Sequence, residues 1–381
     1  RRARLAVLAH FLVNGASLGV WASRLPAIKA EIGMTDSQIA AATFVGAVVA
    51  MLSLRAAGPL VERVGSRRTL QVAGALVVTA PGLTASATGY GLFVVATGVS
   101  FMAASFHDVG MNSQGVAVER RLGRPVMSSF HAAFSIGSIT GCRRGGSDTA
   151  GADVSYRTTF VMVAAALLAL VLVANRSVLA APVGPREEGS TREPLPQRPL
   201  LLTLGVLALM CFVAEGAAMD WTAIYLQDHT GAAAAVAALG FLVFNACMTA
   251  GRLAGDRLAV RFGALPLVRT GTAIGGVGLA VGLVLGTTPA GLVGFAVLGA
   301  GLSVVVPQLF NTAGAVAGER APSALALISS IAYVGFLAGP AVIGAVAHWQ
   351  GLRVALLVPA VLVLTGSLVA SRLHVRSTRV A

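Results

Sequence analysis

Twelve apolar runs, each about long enough to cross a bilayer as a helix, follow one another along the whole chain. A helix rises about 1.5 Å per residue, so about 20 apolar residues span the hydrocarbon core. Only 11% of the 381 residues are charged, against about a quarter in soluble proteins. The sequence therefore predicts an all-α polytopic membrane protein with twelve transmembrane helices, near 4–23, 38–58, 69–88, 91–118, 126–142, 156–175, 200–226, 232–253, 266–287, 290–312, 322–346 and 352–371. The first of these runs is too polar inside for a signal-peptide core, so we interpret it as a membrane helix.

The basic residues lie in short clusters between these runs. With a cytoplasmic N-terminus, 22 of the 28 Lys and Arg residues fall on the cytoplasmic side and 6 on the other, namely Arg24, Lys29, Arg143, Arg144, Arg157 and Arg353. By the positive-inside rule we expect a multi-pass protein of the cytoplasmic (inner) membrane with both termini in the cytoplasm. Nucleic-acid-binding proteins concentrate their charge on one face, so the net charge of +13 does not indicate such a partner.

One polar stretch divides the chain into two similar parts. Residues 176–199 are rich in proline and in charges of both signs, which predicts a flexible cytoplasmic linker between 1–175 and 200–381, each with six apolar runs. The second run of each part leads into a related segment, GPLVERVGSRR at 58–68 and GRLAGDRLAVRFG at 251–263. We expect both to place a glycine, an acid–arginine pair and further arginines in a short loop. This repeat predicts two pseudo-symmetric six-helix halves.

The segment 58–68 resembles the signature between helices two and three of the major facilitator superfamily, with Glu62 where Asp is usual. Three further stretches resemble its MosC-like group, near the fucose permeases: WASRLPAIKAEIGMTDSQIA, HDVGMNSQGVAVERRLGRPVMSSFHAAFSIG and AEGAAMDWTAIYL. The resemblance implies a secondary transporter that moves a small polar solute by rocking two halves around a central site. We expect a monomer without a cofactor, in contact with a small-molecule solute, membrane lipid and, if it is proton-coupled, protons.

The repeated acid–arginine pairs have a physical interpretation of their own. Charges near helix ends can pair with terminal charges of other helices across the interface between the halves and so latch one conformation. The alternative is topology alone, because arginines hold any loop inside. We assign the predicted latch to Gly58, Glu62, Arg63, Arg67, Asp256 and Arg257.

Ionisable residues inside the apolar runs are candidates for binding. Each costs about 2.5–3.5 kcal/mol in a membrane, so few persist without a function. Asp108 and Asn112, four apart in the fourth run, share a helix face, and His131 of the fifth run lies at a similar depth. The fucose-permease resemblance implies an acid followed by Asn at this place and a polar residue at the His131 position. Asp108 is thus a candidate proton or solute site, the alternative being a structural Asp–His pair.

Proton coupling stays open, because related proton-coupled carriers often have another acid in the first helix, where this chain offers His10 and Asn14. In the seventh run Glu215 lies near the middle of the membrane, where its charge needs a polar partner. Trp221 either lines a cavity or belongs to the belt of aromatic residues at the membrane interface. Asn245 and Gln308 are weaker candidates that could equally bond helix to helix. The full candidate set for solute or proton is Asp108, Asn112, His131, Glu215, Asn14, Trp221, Asn245 and Gln308.

Two other features concern helix shape. The fifth run is followed directly by Arg143 and Arg144, where similar proteins continue with small apolar residues, so either these arginines reach outward or the sequence is locally altered. Glycines at four- or five-residue spacing predict close helix packing, and prolines in the tenth and eleventh runs are candidate kinks. These are Gly278, Gly282, Gly286, Gly335, Gly339, Gly344, Pro307 and Pro340.

Several function classes are excluded. The only lysine, Lys29, is not in a P-loop, which excludes an ATP-driven pump in one chain. The three cysteines have no metal-ligand spacing. We therefore expect neither an enzyme nor a metal site. An efflux carrier for an amphiphilic metabolite or drug remains an alternative to uptake of a polar solute. A non-transporting membrane receptor is a third interpretation, although a receptor would be expected to add a soluble signalling domain.

Overall fold

Helices make up all the regular structure of the residues that the computed structural model describes, which are 1–146, 155–180 and 195–373. The first six are α1 (Arg2–Ile32), α2 (Asp36–Val64), α3 (Ser66–Ala85), α4 (Tyr90–Leu122), α5 (Met127–Gly146) and α6 (Tyr156–Asn175). The others are α7 (Arg198–Thr230), α8 (Ala234–Phe262), α9 (Ala264–Leu285), α10 (Thr288–Leu302), α11 (Val305–Ala317), a 3-10 turn (Gly318–Arg320), α12 (Ala321–Gln350), α13 (Leu352–Ala355) and α14 (Leu357–Ser371).

The helices coincide with the predicted apolar runs. Eight stretches of the described chain are long and apolar enough to cross a membrane, and one of them, Thr288–Gln350, comprises α10 to α12. The prediction of an all-helical, multi-pass membrane protein is confirmed. The count of twelve spans is not established by these eight stretches and stays a prediction.

Two of the predicted spans are interrupted helices, and proline explains both breaks. Pro307 and Pro359 are each the third residue of the helix that follows the break. A proline ring clashes with the carbonyl group four residues earlier and donates no N–H, so the preceding helix ends there. Pro340, in contrast, lies inside α12, which continues past it.

The chain forms two compact units. The first consists of Arg1–Gln197 together with Ala313–Tyr333, and the second of Arg198–Thr312 together with the chain from Val334 on. The segment Ala313–Tyr333 thus belongs to the first unit although it lies late in the sequence.

In the first unit α1 packs against α5 through glycines that the sequence analysis did not single out. A Cβ atom at Gly15 or Gly19 of α1 would overlap a carbonyl group of α5, and one at Gly137 or Gly141 of α5 would overlap a carbonyl group of α1. Small residues at four-residue spacing let two helix backbones meet in this way. The contact fixes the position of α5, which carries His131.

In the second unit most of the predicted packing glycines lie against neighbouring helices. A Cβ at Gly282 would lie 2.6 Å from the Ala290 carbonyl oxygen, and one at Gly335 would lie 2.6 Å from the Leu209 carbonyl oxygen. Gly286 is different, because it ends α9 in a left-handed conformation with φ 65. The prediction of a packing role was wrong for Gly286, which is needed for its backbone angle.

The repeated segments 58–68 and 251–263 lie mainly within helices, which corrects the expectation of loops. Both α2 and α8 have 29 residues and continue to Val64 and Phe262. A single glycine then joins each to the next helix, Gly65 with φ 91 and Gly263 with φ 82. Glycine reaches such positive φ angles without strain, so one residue is enough for the turn. The Glu62–Arg63 pair therefore lies in the last turn of α2, and the Asp256–Arg257 pair lies within α8, about two turns before its end.

Candidate solute and proton site

Asp108 and Asn112 form a hydrogen-bonded pair on one face of α4. The Asn112 Nδ2 group donates to the Asp108 carboxylate Oδ1 at 3.0 Å and to the Asp108 backbone oxygen at 2.9 Å. Asn112 is only 1% exposed. Its Oδ1 atom is buried and has no hydrogen-bond partner among the described residues. A buried acceptor without a donor is costly, so this atom is a place where a ligand hydroxyl or a water could bind.

A second pair, Ser329 and Tyr333 on α12, faces the first within the same unit. The Ser329 hydroxyl donates to the Asp108 Oδ2 atom at 3.4 Å, and Tyr333 packs against the apolar cluster that contains Val109, the residue after Asp108. We call these four residues the Asp108 cluster. Because residues four apart share a helix face, each helix presents a matched polar pair to the other.

The wall beside the Asp108 cluster is apolar. It contains Leu54, Ala57 and Val61 of α2, Phe106 and Val109 of α4, and Ala326 and Tyr333 of α12. In such surroundings a carboxylate would normally have a cation as partner. Asp108 forms no ion pair with any residue of the described chain. It is therefore a carboxyl group that protonation would neutralise or a hydrogen-bond donor would stabilise.

The other two candidates of the first unit lie on α1 and α5. The His131 ring meets the Phe11 ring edge-on, with centroids 5.2 Å apart. Asn14 is half-buried on α1 and has no hydrogen-bond partner among the described residues. The contact between Asp108 and His131 that the sequence suggested stays a prediction.

The sequence analysis did not predict a buried pair of histidines. His10 of α1 lies 3.0 Å from His107 of α4, measured from Nδ1 to Nε2, and its Nε2 lies 3.1 Å from Asn175 Oδ1. The amide oxygen can only accept, so His10 Nε2 donates to Asn175 and His10 Nδ1 accepts from His107. Both histidines are fully buried. The network joins α1, α4 and α6, and its His107 directly precedes Asp108 on α4.

The predicted latch residues on α2 contact the start of α12 and the 3-10 turn Gly318–Arg320 that precedes it. A Cβ at Gly58 would lie 2.7 Å from the Ser323 Cα atom, so only glycine fits there without a shift. One helical turn further along α2, Glu62 Oε1 lies 3.9 Å from Arg320 Nε. Sequence reasoning found Glu62 but not Arg320, which belongs to no repeated motif. Arg63 and Arg67 are exposed on the surface of α2 and α3.

Arg120, at the end of α4, strengthens the same contact. Its guanidinium group donates to the backbone oxygens of Gly314 and Gly318, where α11 ends. A cation at a helix C-terminus is favourable because the last carbonyl groups carry partial negative charge. The end of α4 is thereby attached to the residues that lead into α12.

The second unit contains one buried ion pair among its described residues. Glu215 of α7 lies 3.9 Å from Arg252 of α8, with the two side chains 23% and 10% exposed. Glu215 therefore has the partner that its position in the apolar run required. The expectation that the segment 251–263 forms a loop was wrong for Arg252, which lies buried within α8.

The remaining candidates of the second unit are dispersed. Trp221 has a buried indole Nε1 without a hydrogen-bond partner among the described residues. The Asn245 amide donates to the Phe241 backbone oxygen of its own helix at 3.0 Å, and Gln308 is buried on α11. Asp256 is half-buried and Arg257 is exposed on α8.

Two parts of the chain for which the sequence made predictions lie outside the described residues. They are the central part of the predicted linker, 181–194, and the side chains of Arg143 and Arg144. The backbone of α5 does continue through both arginines to Gly146.

Comparison with known proteins assigns the family. A family model described as Major Facilitator Superfamily matches residues 6–321. The chain belongs to the major facilitator superfamily. An uncharacterised MFS-type transporter of Yersinia pestis is 32% identical over 355 residues, covering 93% of this chain and 91% of the relative. The membrane protein MosC of Rhizobium meliloti is 28% identical over 354 residues, covering 92% of this chain and 85% of MosC.

Solved structures of the superfamily have the same fold. The outward conformation of FucP matches with a TM-score of 0.79 at 17% identity and covers 97% of this chain and 99% of that one. A second structure, of the Escherichia coli fucose:proton symporter FucP, matches with a TM-score of 0.74 at 17% identity, covering 97% of both chains. The predicted membership of the superfamily, near MosC and fucose permease, is confirmed.

Proposed function

We propose that this superfamily member is a secondary active transporter that carries a small, hydroxyl-rich polar solute by alternating access, with Asp108 as its proton site. The single observation that carries the proposal is the Asp108 cluster. A carboxyl group without a cation partner among the described residues lies there beside a buried acceptor without a donor. Such an arrangement is expensive in an apolar helix bundle unless a ligand uses it.

The chemistry of the cluster favours a sugar-like or cyclitol-like solute. The Asp108 carboxylate and the Asn112 Oδ1 atom are acceptors, and the hydroxyls of Ser329 and Tyr333 can donate or accept. Hydroxyl groups on a ring match this mixture. An anionic solute would meet a carboxylate with no compensating arginine from the described residues nearby, which is unfavourable.

Proton coupling follows from the same carboxyl group. When it is ionised, it needs a donor or a cation, and when it is protonated, it can stay in the apolar bundle at lower cost. We therefore propose that the carrier moves solute and proton together. FucP of Escherichia coli is a fucose:proton symporter, and we extend proton symport to this chain as part of the proposal.

We further propose twelve spans arranged as a six-helix half 1–175, a cytoplasmic linker 176–199 and a six-helix half 200–381, in the cytoplasmic membrane with both termini inside. The equal lengths of α2 and α8 and their one-glycine turns support the repeat. We assign a latch function to the contact of Gly58 with the start of α12 and of Glu62 with Arg320 in the 3-10 turn before it. Arg63, Arg67, Asp256 and Arg257 are proposed as its further members.

The other candidate residues complete the proposal. His131 and Asn14 would contact the solute from α5 and α1, and Glu215 and Trp221 would do so from α7. Asn245 and Gln308 are proposed as weaker contacts of the second half. The pair of Glu215 with Arg252 gives this half a charge-balanced polar group.

The test is transport by the purified chain in liposomes. A panel of labelled monosaccharides, cyclitols and amphiphilic organic ions is offered with and without an inward proton gradient. The proposal predicts that a hydroxyl-rich solute accumulates and that the gradient increases the accumulation. Transport of amphiphilic ions alone would favour the efflux alternative, and transport of no compound would favour a receptor.

Topology is tested separately. Gln197 is exposed at the end of the predicted linker, so we expect Gln197→Cys to be labelled in inside-out vesicles and not from outside intact cells. Cys142 is exposed and has to be replaced by Ser first. Labelling of Gln197→Cys in intact cells would overturn the orientation.

A further inference from the structure

A cavity lined by arginines lies at one end of the first unit, away from the Asp108 cluster. It encloses about 590 Å³ where α1 begins and where α4 and α6 end. Its charged side chains are all arginines as far as the described residues go: Arg1, Arg2, Arg4, Arg121 and Arg176. The rest of the lining is small or apolar and includes Val118, Leu122 and Leu179.

Hydrogen bonds fix the walls of this cavity. The buried Gln114 side chain donates to the Leu179 backbone oxygen at 3.0 Å and accepts from the Leu179 N–H at 3.1 Å. The chain after α6 is thereby attached to α4. Arg4 is held by its Nη2 atom, which donates to the Ser129 hydroxyl at 3.2 Å, while its buried Nε atom has no partner among the described residues.

The positive charge of the cavity is not neutralised within the described part of the chain. None of the five arginines forms an ion pair there. The nearest acid along α4, Glu119, is 8% exposed and its Oε2 atom accepts the N–H groups of Val126 and Met127 at 2.8 and 3.0 Å. That carboxylate therefore caps the start of α5, and the five arginines have no anionic partner among the described residues.

We propose that this cavity binds the phosphate group of an anionic ligand. The planar guanidinium groups of arginine bind phosphate oxygens with two parallel hydrogen bonds, which favours phosphate over a halide. A carboxylate accepts the same pair of bonds but carries less charge, so a cluster of arginines favours phosphate over it. Five cations exceed the charge of one phosphate, so a ligand with two phosphates fits better than a ligand with one.

Position favours a lipid headgroup as the source of the phosphate. The candidate membrane span of α1 begins at Arg2 and that of α4 ends at Leu122, so we infer that the cavity lies at the depth of the headgroups. Basic pockets between helices at that depth bind acidic phospholipids. The apolar side chains of the lining would then contact the first carbons of the acyl chains. A soluble diphosphate shares the recognition chemistry and has to be distinguished by experiment.

The experiment measures ligand binding to the purified full chain in detergent, by thermal shift and by native mass spectrometry. The lipid arm titrates cardiolipin, phosphatidylglycerol and phosphatidylcholine, and the soluble arm titrates pyrophosphate. We expect cardiolipin to bind more tightly than phosphatidylglycerol and phosphatidylcholine not to bind specifically. Binding of pyrophosphate without binding of either acidic lipid would overturn the lipid assignment and give the phosphate to a soluble ligand.

Matched variants separate a built site from a general charge effect. Arg121→Gln with Arg176→Gln should weaken cardiolipin binding about tenfold or more, since two charge-assisted contacts are lost. The Lys versions of the same two positions should retain part of the affinity and show whether the fold is intact. Arg261→Gln with Arg269→Gln removes two exposed arginines of the second unit and should leave binding within about twofold. Equal losses in both pairs, or no binding in either arm, would overturn the proposal.

Discussion

The close contact between α1 and α5 predicts that replacing a helical glycine by alanine changes the stability in opposite directions at two positions. A Cβ at Gly137 would lie 2.8 Å from the carbonyl carbon and 3.0 Å from the Cα atom of Leu12. These are backbone atoms, so the two helices have to separate. A Cβ at Gly82 of α3 would meet no atom within 4 Å. Gly137→Ala should therefore destabilise the protein, and Gly82→Ala should not.

The magnitude follows from two opposing terms. Overpacking costs about 1–3 kcal/mol, and Gly137 should be near the upper value because separation there also loosens the contacts of Gly15, Gly19 and Gly141. Replacing a helical glycine by alanine gains about 1 kcal/mol. The net loss is about 2 kcal/mol for Gly137→Ala, against a gain of about 1 kcal/mol for Gly82→Ala. For a unit of this size we expect apparent melting temperatures about 4–8 °C lower and about 2–4 °C higher, respectively.

The assay is the fraction of monodisperse protein that remains in detergent as the temperature rises. Wild type, Gly137→Ala, Gly82→Ala and the double variant Gly15→Ala/Gly137→Ala are compared. Gly15 lies in the same contact, so the double variant should lose less than the sum of the single losses. If Gly137→Ala were as stabilising as Gly82→Ala, helix propensity would dominate, and the close approach of α1 and α5 would be refuted.

Three further predictions concern the polar contacts. Glu62→Gln should lower the initial transport rate with a smaller change in solute affinity, because the pair of Glu62 with Arg320 stabilises one conformation. An unchanged rate would mean that the Glu62 segment serves only the membrane topology. Arg252→Leu leaves Glu215 without its cation and should cost about 3 kcal/mol, while the double variant Glu215→Gln/Arg252→Leu should regain most of it. If Arg252→Leu and the double variant had equal melting temperatures, the ion pair between Glu215 and Arg252 would be contradicted. His10→Leu should lower stability by about 1–3 kcal/mol through two lost hydrogen bonds, yet folded protein should still accumulate solute. Loss of accumulation would place His10 in the proton path.

The positions of the helices were predictable because the thickness of the bilayer sets the length of each apolar run. The run 156–175 coincides with α6. The ends were harder to predict, since helices continue beyond the hydrocarbon wherever their polar residues still favour a helix. Thus α1 extends to Ile32, nine residues past the predicted end of its run.

The local part of the Asp108 cluster was also predictable, because residues four apart share a helix face. The pairing with Ser329 was not, since it joins residues 221 apart in the sequence and depends on how α12 packs. Ser329 and Tyr333 were detectable as polar residues one turn apart in an apolar run. Arg320 and Arg252 could be matched to Glu62 and Glu215 only once the helices were placed.

The most direct test of Asp108 as the proton site is whether the Asp108→Asn variant accumulates solute in response to a proton gradient. Asparagine keeps the size of the side chain and its hydrogen bonding but cannot release a proton. Folded variant in liposomes should exchange solute down its own gradient and fail to accumulate it in response to a pH gradient. Asp228→Asn, which neutralises an exposed acid at the end of α7, is the matched control and should accumulate normally. Normal accumulation by Asp108→Asn would contradict the proposed proton site.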